Sequence, residues 1–512
     1  MRKTEAKYGA EAREALQAGV EKVFNAVAHT MGARGRNAIF KKWGMPIVTN
    51  DGISIAREIM PEDPYEYLGA EAVKQASEKT NEDAGDGTTG TIVLATHMIR
   101  NGMKKIDEGI NPMVLRGQME KAKDKLVEEV KKRAVPVRDL KEVAMISVED
   151  EKLATLVSDV VKEVGVDGSI IVQESPGSDV RFELVKGYTW NRGFVSPYMV
   201  TNTKGEAVLT DAAVIVTDKY ISLNTDIVPV IVKLVEQGCK NVFIVCDNFE
   251  GEILQTAIVN KQNGVVNIVA VQKPETTQEL EDLATLTKAV AITKEKGIKE
   301  ITVEHVGKTE KVIVNKDRTV LVGLPETKEA VEARIAEVRE QIEAEDQEKY
   351  GDIEVLKKRL SRLAGGIATI KVGGLTEAEQ GYVKLKVDDA VGACVSALEE
   401  GIVAGGGTTL RDLRFLLDAS VPGEAVIYDA LAKPYLQILA NAGFDIDNLP
   451  SGVNYNVFTG EVINDMVEAG IVDPAKVIRC EIENAVSIAK TLLTTECAIV
   501  ELPQESEKKA RD

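Results

Sequence analysis

The order in which helical and strand-rich segments follow one another is what most constrains this chain. Residues 11–31 place Ala15, Val20, Val23, Phe24 and Val27 near one helical face, and Gly32-Ala33-Arg34-Gly35 stops that helix. Further helical patterns cover 67–82, a stretch ending near Lys105, 112–133 and 150–162. Between them, 38–55 reads as two short strands around Trp43-Gly44 and Asn50-Asp51-Gly52. From about 208 to 325, β-branched runs such as 242–245 and 266–271 alternate with helical ones, the pattern of a layered α/β domain. The charge-rich stretch 326–363 reads as two antiparallel solvated helices broken near Tyr350-Gly351. A short strand follows at 367–372, and from Val387 onward the chain is helical again apart from a turn-rich patch at 447–460. Two helical ends around a strand-rich centre are best explained as one domain interrupted by an excursion. The mixed segments 133–185 and 368–399 are too short to stand alone and are expected to form a connector with hinge-like ends. A length of 512 residues suits about three domains.

Composition excludes several kinds of partner. The chain carries 63 basic and 82 acidic residues, a net charge of −19, which repels nucleic-acid backbones and anionic membranes. Aromatics make up only 4%, too few for base-stacking platforms. No apolar run approaches the ~18 residues of a membrane span, and the charged N-terminal segment does not read as a secretory signal. Five cysteines without CxxC spacing point to a reducing cytoplasm rather than a disulfide framework.

The chemistry concentrates in glycine-rich turns. Gly85-Asp86-Gly87-Thr88-Thr89-Gly90 spells G-x-G-x-x-G, but a helix precedes it where a dinucleotide site needs a strand. What remains is a turn feeding a helix N-terminus, where N–H groups, the helix dipole and the hydroxyls of Thr88, Thr89 and Thr91 favour an anion. The plainer reading is that Asp86 and the threonines only cap the helix. If a phosphate does bind, Asp86 requires a cation between them, which points to Mg²⁺. The turn 30–36 is expected to bring N–H groups and arginines to the same phosphates, and Ala404-Gly405-Gly406-Gly407 lets a flat ring approach the main chain. Asp389 reads as an acid in a first helical turn, where it would only offset the dipole, and Asp51 as a turn residue. There is no GxxxxGK[ST], so a P-loop is not supported.

Taken together, the segments 30–37, 49–58, 84–89 (AGDGTT), 192–198, 363–373, 387–390, 399–407 (EEGIVAGGG) and 494–498 resemble the group I (GroEL-type) chaperonin family, collinearly from about Tyr8 to Val500. The resemblance implies a mainly helical equatorial ATP-binding domain (1–132 and 400–512), a small α+β intermediate hinge domain (133–185 and 368–399) and an α/β apical domain (186–367). It implies ATP with Mg²⁺, and K⁺ as a further cation. Thr30, Met31, Gly32 and Ala33 would wrap the phosphates, and Asp86 would ligand the metal. Gly87, Thr88, Thr89 and Gly90 would hold phosphate oxygens, while Gly406, Asn456, Val457 and Asp473 would meet the nucleoside. Asp389 would activate water with help from Asp51. An apical surface of Phe194, Tyr198, Met199, Val228, Ile231, Leu254, Ile258 and Val259 would bind non-native polypeptides by burying apolar area, at roughly 25 cal/mol per Å² before association costs. Heptameric rings, stacked in pairs and closed by a GroES-like co-chaperonin lid, complete the implied machine. Three departures stand out: Asn50 replaces a usual lysine, Gly90 replaces a usual threonine, and the apical loop between Gln272 and Glu281 is short. The two substitutions, which touch the phosphate site, keep a second reading open, an assembled chaperonin-like scaffold or binding protein with weak or no ATPase.

Overall fold

The structure, a computed structural model, describes residues 4–42, 45–148, 150–165, 169–202, 205–298, 300–344, 355–356, 359–360, 362–363, 366–450 and 452–501. The chain folds into two compact units. One comprises Met1–Val161, Glu174–Val180 and Val372–Asp512, with both ends of the sequence in it. The other comprises Lys162–Gln173 and Arg181–Lys371.

The first unit is helical. Its N-terminal part contributes α1 (Gly9–Val27), α2 (Gly52–Glu58), α3 (Pro64–Ala84), α4 (Thr88–Asp107), α5 (Pro112–Arg133), α6 (Leu140–Val148) and most of α7 (Glu151–Val164). The second unit carries α8 (Asn224–Glu236), α9 (Glu252–Gln262), α10 (Thr277–Thr287) and α11 (Lys328–Ala344). The C-terminal part returns α12 (Glu377–Glu400), α13 (Thr408–Leu413), α14 (Pro422–Leu431), α15 (Lys433–Asn441) and α16 (Ala475–Leu493) to the first unit. Helix α16 buries Ile478, Ile482, Ala485, Val486, Ala489 and Leu493, and this stripe packs with Val20, Val23, Val73, Leu94 and Met98 into one core. Each Ile, Leu, Val or Met side chain so removed from water contributes about 1.5–3 kcal/mol.

Several sequence expectations shift by a few residues for identifiable reasons. Strands Ala38–Lys42 and Met45–Thr49 pair antiparallel, but the second ends at Thr49. Asp51 caps α2 instead of turning a hairpin, its carboxylate accepting from the N–H groups of Ile53 (3.3 Å) and Ser54 (3.0 Å). Trp43-Gly44 lies outside the described residues, as does the Tyr350-Gly351 break. Helix α11 is not wholly solvated, since Val331, Ile335 and Val338 are buried. Helix α6 was not anticipated. Helix α12 begins at Glu377, capped by the Thr376 hydroxyl accepting from Glu379 N–H (3.1 Å), so Asp389 stands in mid-helix. Dipole compensation therefore does not explain it.

The second unit is built on an eight-stranded mixed sheet: β1 (Ser169–Glu174), β2 (Arg181–Trp190), β3 (Ala207–Val216), β4 (Asn241–Cys246), β5 (Asn267–Gln272), β6 (Gly307–Val314), β7 (Thr319–Val322) and β8 (Gly366–Val372), in the order β5-β4-β3-β6-β7-β2-β8-β1. Strands β3, β4 and β5 run parallel, and α8 and α9 lie in their crossovers. Val242, Phe243, Ile244 and Val245 are fully buried, as a parallel strand covered on both faces requires.

One contact in the first unit sets the position of the site. Gly85 ends α3 with φ 72°, and its backbone crosses that of Gly392 on α12 so closely that a Cβ on Gly85 would lie 2.5 Å from Gly392 Cα. The reverse Cβ on Gly392 would lie 2.6 Å from Gly85 Cα. The Ser396 hydroxyl locks the crossing by donating to Ala84 O (2.7 Å). Because backbone meets backbone, neither partner can rotate away. Gly392→Ala is expected to cost about 1–3 kcal/mol by overpacking, read as a lower denaturant midpoint. An unshifted midpoint would show that the crossing is not tight.

Candidate functional site

Residues 85–90 form the centre of the site. Gly85 and Gly87 both adopt positive φ, reversing the chain between α3 and α4 so that Asp86 projects between them. Asp86 accepts from its neighbour's N–H at Gly87 (2.6 Å) and from the Ser147 hydroxyl on α6 (3.4 Å). Behind the turn, Ser77 donates to Thr88 O (3.0 Å), and Thr80 pairs with Thr91 (2.8 Å). The first-turn N–H groups of α4 have no intrahelical acceptors and form an anion-favouring end.

A cavity of roughly 500 Å³ opens at this turn. Thr30, Met31, Gly32, Ala33, Asp86, Gly87, Thr88, Thr89, Gly90, Gly406, Asn456, Val457 and Asp473 all line it, together with Asp51 and Asp389. Asp389 lies one helical turn before Gly392 on α12, so the glycine crossing carries it into the cavity wall. Strands Ile402–Ala404 and Val472–Pro474 pair antiparallel and place Gly406 and Asp473 together. A small hairpin, Asn454–Tyr455 with Val462–Ile463, presents Asn456 and Val457. Tyr435, Ile438 and Leu439 supply an apolar wall suited to a flat ring.

Some expected donors are committed elsewhere. Thr91 is fully buried and donates to Gly87 O (3.1 Å), so it does not reach the cavity. The Thr30 hydroxyl proton is committed to Val27 O (2.8 Å), although the residue lines the cavity. Arg34 donates to Phe458 O (3.3 Å), its guanidinium 5.1 Å from that ring's centroid, and does not line the cavity. Sequence reasoning missed Lys386, the one basic side chain among the described lining residues, although it stands three positions before Asp389 on the same helical face. It also missed Ser147 on α6 and Glu481 on α16.

The cavity is rich in carboxyl groups that burial disfavours as anions. Desolvation is the largest effect on Asp86 and raises its pKa, opposed by the Gly87 N–H and Ser147. Asp389 is raised well above the usual carboxylate range by burial, then by Asp86, Asp51 and Asp388, with Lys386 opposing. Burial and the Asp86 charge push Asp473 up to about 7 against the Gly406 and Gly407 N–H groups. Burial first, then Asp473 and Asp86, raises Glu481 well above the usual range. A cation relieves this repulsion. Among the described residues no three His, Cys, Asp or Glu side chains converge as a metal site. A cation beside Asp86 would take that carboxylate as a ligand, and the N–H groups of the glycine turn beside it suit anionic oxygens.

The second unit presents its apolar candidates unevenly. Tyr198 (70% exposed) and Val259 (52%) face solvent, with Phe194, Val228, Leu254 and Ile258 half-buried. Met199 and Ile231 are buried and face the core, Met199 Sδ accepting from Ala270 N–H (3.4 Å), so these two support the surface and are not part of it. Leu223 on the approach to α8 and Val232 within it are also exposed.

A helical unit holding an acidic cavity at a glycine-rich helix start, with a sheet-based unit bearing an apolar helical face, defines a multidomain α/β protein. The chain belongs to the TCP-1/cpn60 chaperonin family, whose model matches residues 23–503. Its fold is shared by the chaperonin gp146 from the bacteriophage EL 2 (Pseudomonas aeruginosa), crystallised in the presence of ATP-BeFx. At 22% identity, two crystal forms of gp146 give TM-scores of 0.69 and 0.64, each covering 97% of this chain and 99% of that one. No helix among the described residues is long and apolar enough to cross a membrane.

The raised Asp473 pKa gives a signed expectation. Between the ordinary carboxylate value of 3.8 and about 7, the folded chain holds a proton that the unfolded chain has lost. Stability from this group is therefore full at low pH and declines as pH rises across that window. Asp473→Asn keeps an acceptor for the Gly406 and Gly407 N–H groups and should flatten the decline, measured as urea midpoints from pH 4 to 8. Parallel curves for variant and parent would contradict the assignment.

Proposed function

We propose that this chain is an ATP-driven chaperonin of the group I type. The observation that carries the reading is the convergence of Asp86, Asp51 and Asp389 on one cavity at the glycine-rich start of α4. Asp86 would hold Mg²⁺ beside the triphosphate, K⁺ would be a second charge-neutralising cation, and the main chain of 30–33 and 87–90 would bind phosphate oxygens. The hairpin at Asn456 and Val457 and the apolar wall from α15 take the base, and Asp473 the ribose. When bound, Mg²⁺ would supply the polarisation of the phosphates. Asp389 orients and deprotonates the attacking water, a task that its raised proton affinity suits, with Asp51 assisting.

The exposed Tyr198, Leu223, Val232 and Val259, with the half-buried Leu254 and Ile258, capture non-native polypeptides by removing apolar area from water. That interaction needs no sequence, so release requires covering the patch, and nucleotide-driven movement within a seven-membered ring supplies it. Stacked double rings, a GroES-like lid and a cytoplasmic location complete the proposal, with intermediate segments 133–185 and 368–399 acting as the hinge.

Single-turnover ATP hydrolysis tests it. The parent chain hydrolyses Mg-ATP slowly. Asp389→Ala binds it but turns over at least ~100-fold more slowly, the usual scale for losing a general base. Nucleotide binding without hydrolysis by the parent would favour the scaffold reading, and equal rates would remove Asp389 from its role.

A further inference from the structure

Glu481 has no role in anything implied so far. It lies on the buried face of α16, is only 5% exposed, and lines the cavity between Asp473 and Asp86. Its carboxyl packs against the first turn of α4. A Cβ on Gly90 would lie 2.0 Å from Glu481 Oε1 and 2.5 Å from its Cδ, and a Cβ on Gly87 would lie 3.0 Å from Oε1. The space that a side chain at position 90 would need is thus filled by a carboxyl delivered from another helix. Asp86 is engaged by Gly87 and Ser147, and Asp473 by the Gly406 and Gly407 N–H groups. Among the described residues no donor hydrogen-bonds to Glu481. A polar group this deeply buried is costly without a partner, and here the open side is the cavity.

We propose that Glu481 is a nucleotide-positioning residue whose carboxyl O–H takes over the polar contact that Gly90 cannot make, donating to a phosphate oxygen of the bound nucleotide. The inference rests on the nucleotide reading above. Two negatively charged oxygens meet favourably only with a proton or a cation between them. Burial first, then the nearby Asp473 and Asp86, raises the proton affinity of Glu481, which favours the O–H form. The donor thus moves from α4 to α16 while the phosphate-binding turn keeps its position, and residues 90 and 481 become an interlocked pair.

Calorimetric titration of the full chain with Mg-ATP and, separately, with adenosine tests this. Glu481→Ala is expected to bind Mg-ATP about tenfold more weakly, the loss of one hydrogen bond to a charged group, with adenosine affinity unchanged. Glu481→Gln keeps a donor of the same shape and should stay within about threefold of the parent. Gly90→Thr alone should also weaken binding, because its side chain displaces the Glu481 carboxyl, and Gly90→Thr with Glu481→Ala should recover most of the loss. The proposal is overturned if Glu481→Ala binds Mg-ATP as the parent does, or loses ATP and adenosine equally, which marks a purely structural part. It is also overturned if Glu481→Gln is as weak as Glu481→Ala, which marks a cation ligand, or if the double variant is no better than Gly90→Thr. A parent chain that binds no Mg-ATP would instead remove the nucleotide reading itself.

Discussion

The backbone crossing of Gly85 and Gly392 is the constraint on which the rest of the site depends. It joins the C-terminal end of α3 to the middle of α12, and no side chain could be inserted without parting them. Two consequences follow from this one contact. Gly85 reverses the chain, so Asp86 and the first turn of α4 face the cavity, and Asp389, one turn away from Gly392, lines the same cavity from α12. Ser147 on α6 completes the link by donating to Asp86. The acid that would hold a metal and the acid that would handle water are placed by the same few atoms of main chain.

Electrostatics then gives the cavity its chemical direction. Asp86, Asp389, Asp473 and Glu481 are all pushed toward their protonated forms, and Lys386 is the single basic side chain among the described lining residues. A bare polyphosphate would add charge of the sign already in excess. A metal-bound one brings the missing cation, so metal and nucleotide are expected to enter as one ligand. The absence of a lysine at Asn50 sharpens this dependence, because no ammonium at that position shares the load.

Much of this was legible in the sequence, for reasons that can be stated residue by residue. The apolar spacing of Val20, Val23 and Val27 marks α1 because one face is buried against the core, and the AGDGTT turn marks its own geometry through glycines that must reverse the chain. The convergence of residues 30–33, 86–90, 389 and 473 was not legible from spacing, since it arises from contacts between distant segments. Asp389 was misplaced at a helix start because α12 buries no side chain before Val387, so its first turns carry no apolar rhythm. The true start was signalled by Thr376 followed by Glu377 and Glu379. Thr91 looked like a donor to ligand only because sequence does not show that its hydroxyl turns back to Gly87. Glu481 left a trace: it stands four residues after Val477 and four before Ala485, on the face that α16 buries. A carboxyl in that register is not a solvated charge.

The measurement that bears most directly on the central claim is nucleotide affinity with and without magnesium, at matched ionic strength. If Asp86 grips a metal-bound triphosphate, binding is tight with Mg²⁺ present and weaker by at least about two orders of magnitude when the metal is chelated. Equal affinity under both conditions would contradict the account, because the carboxyl-lined cavity would then be accepting phosphate without the cation its charge demands.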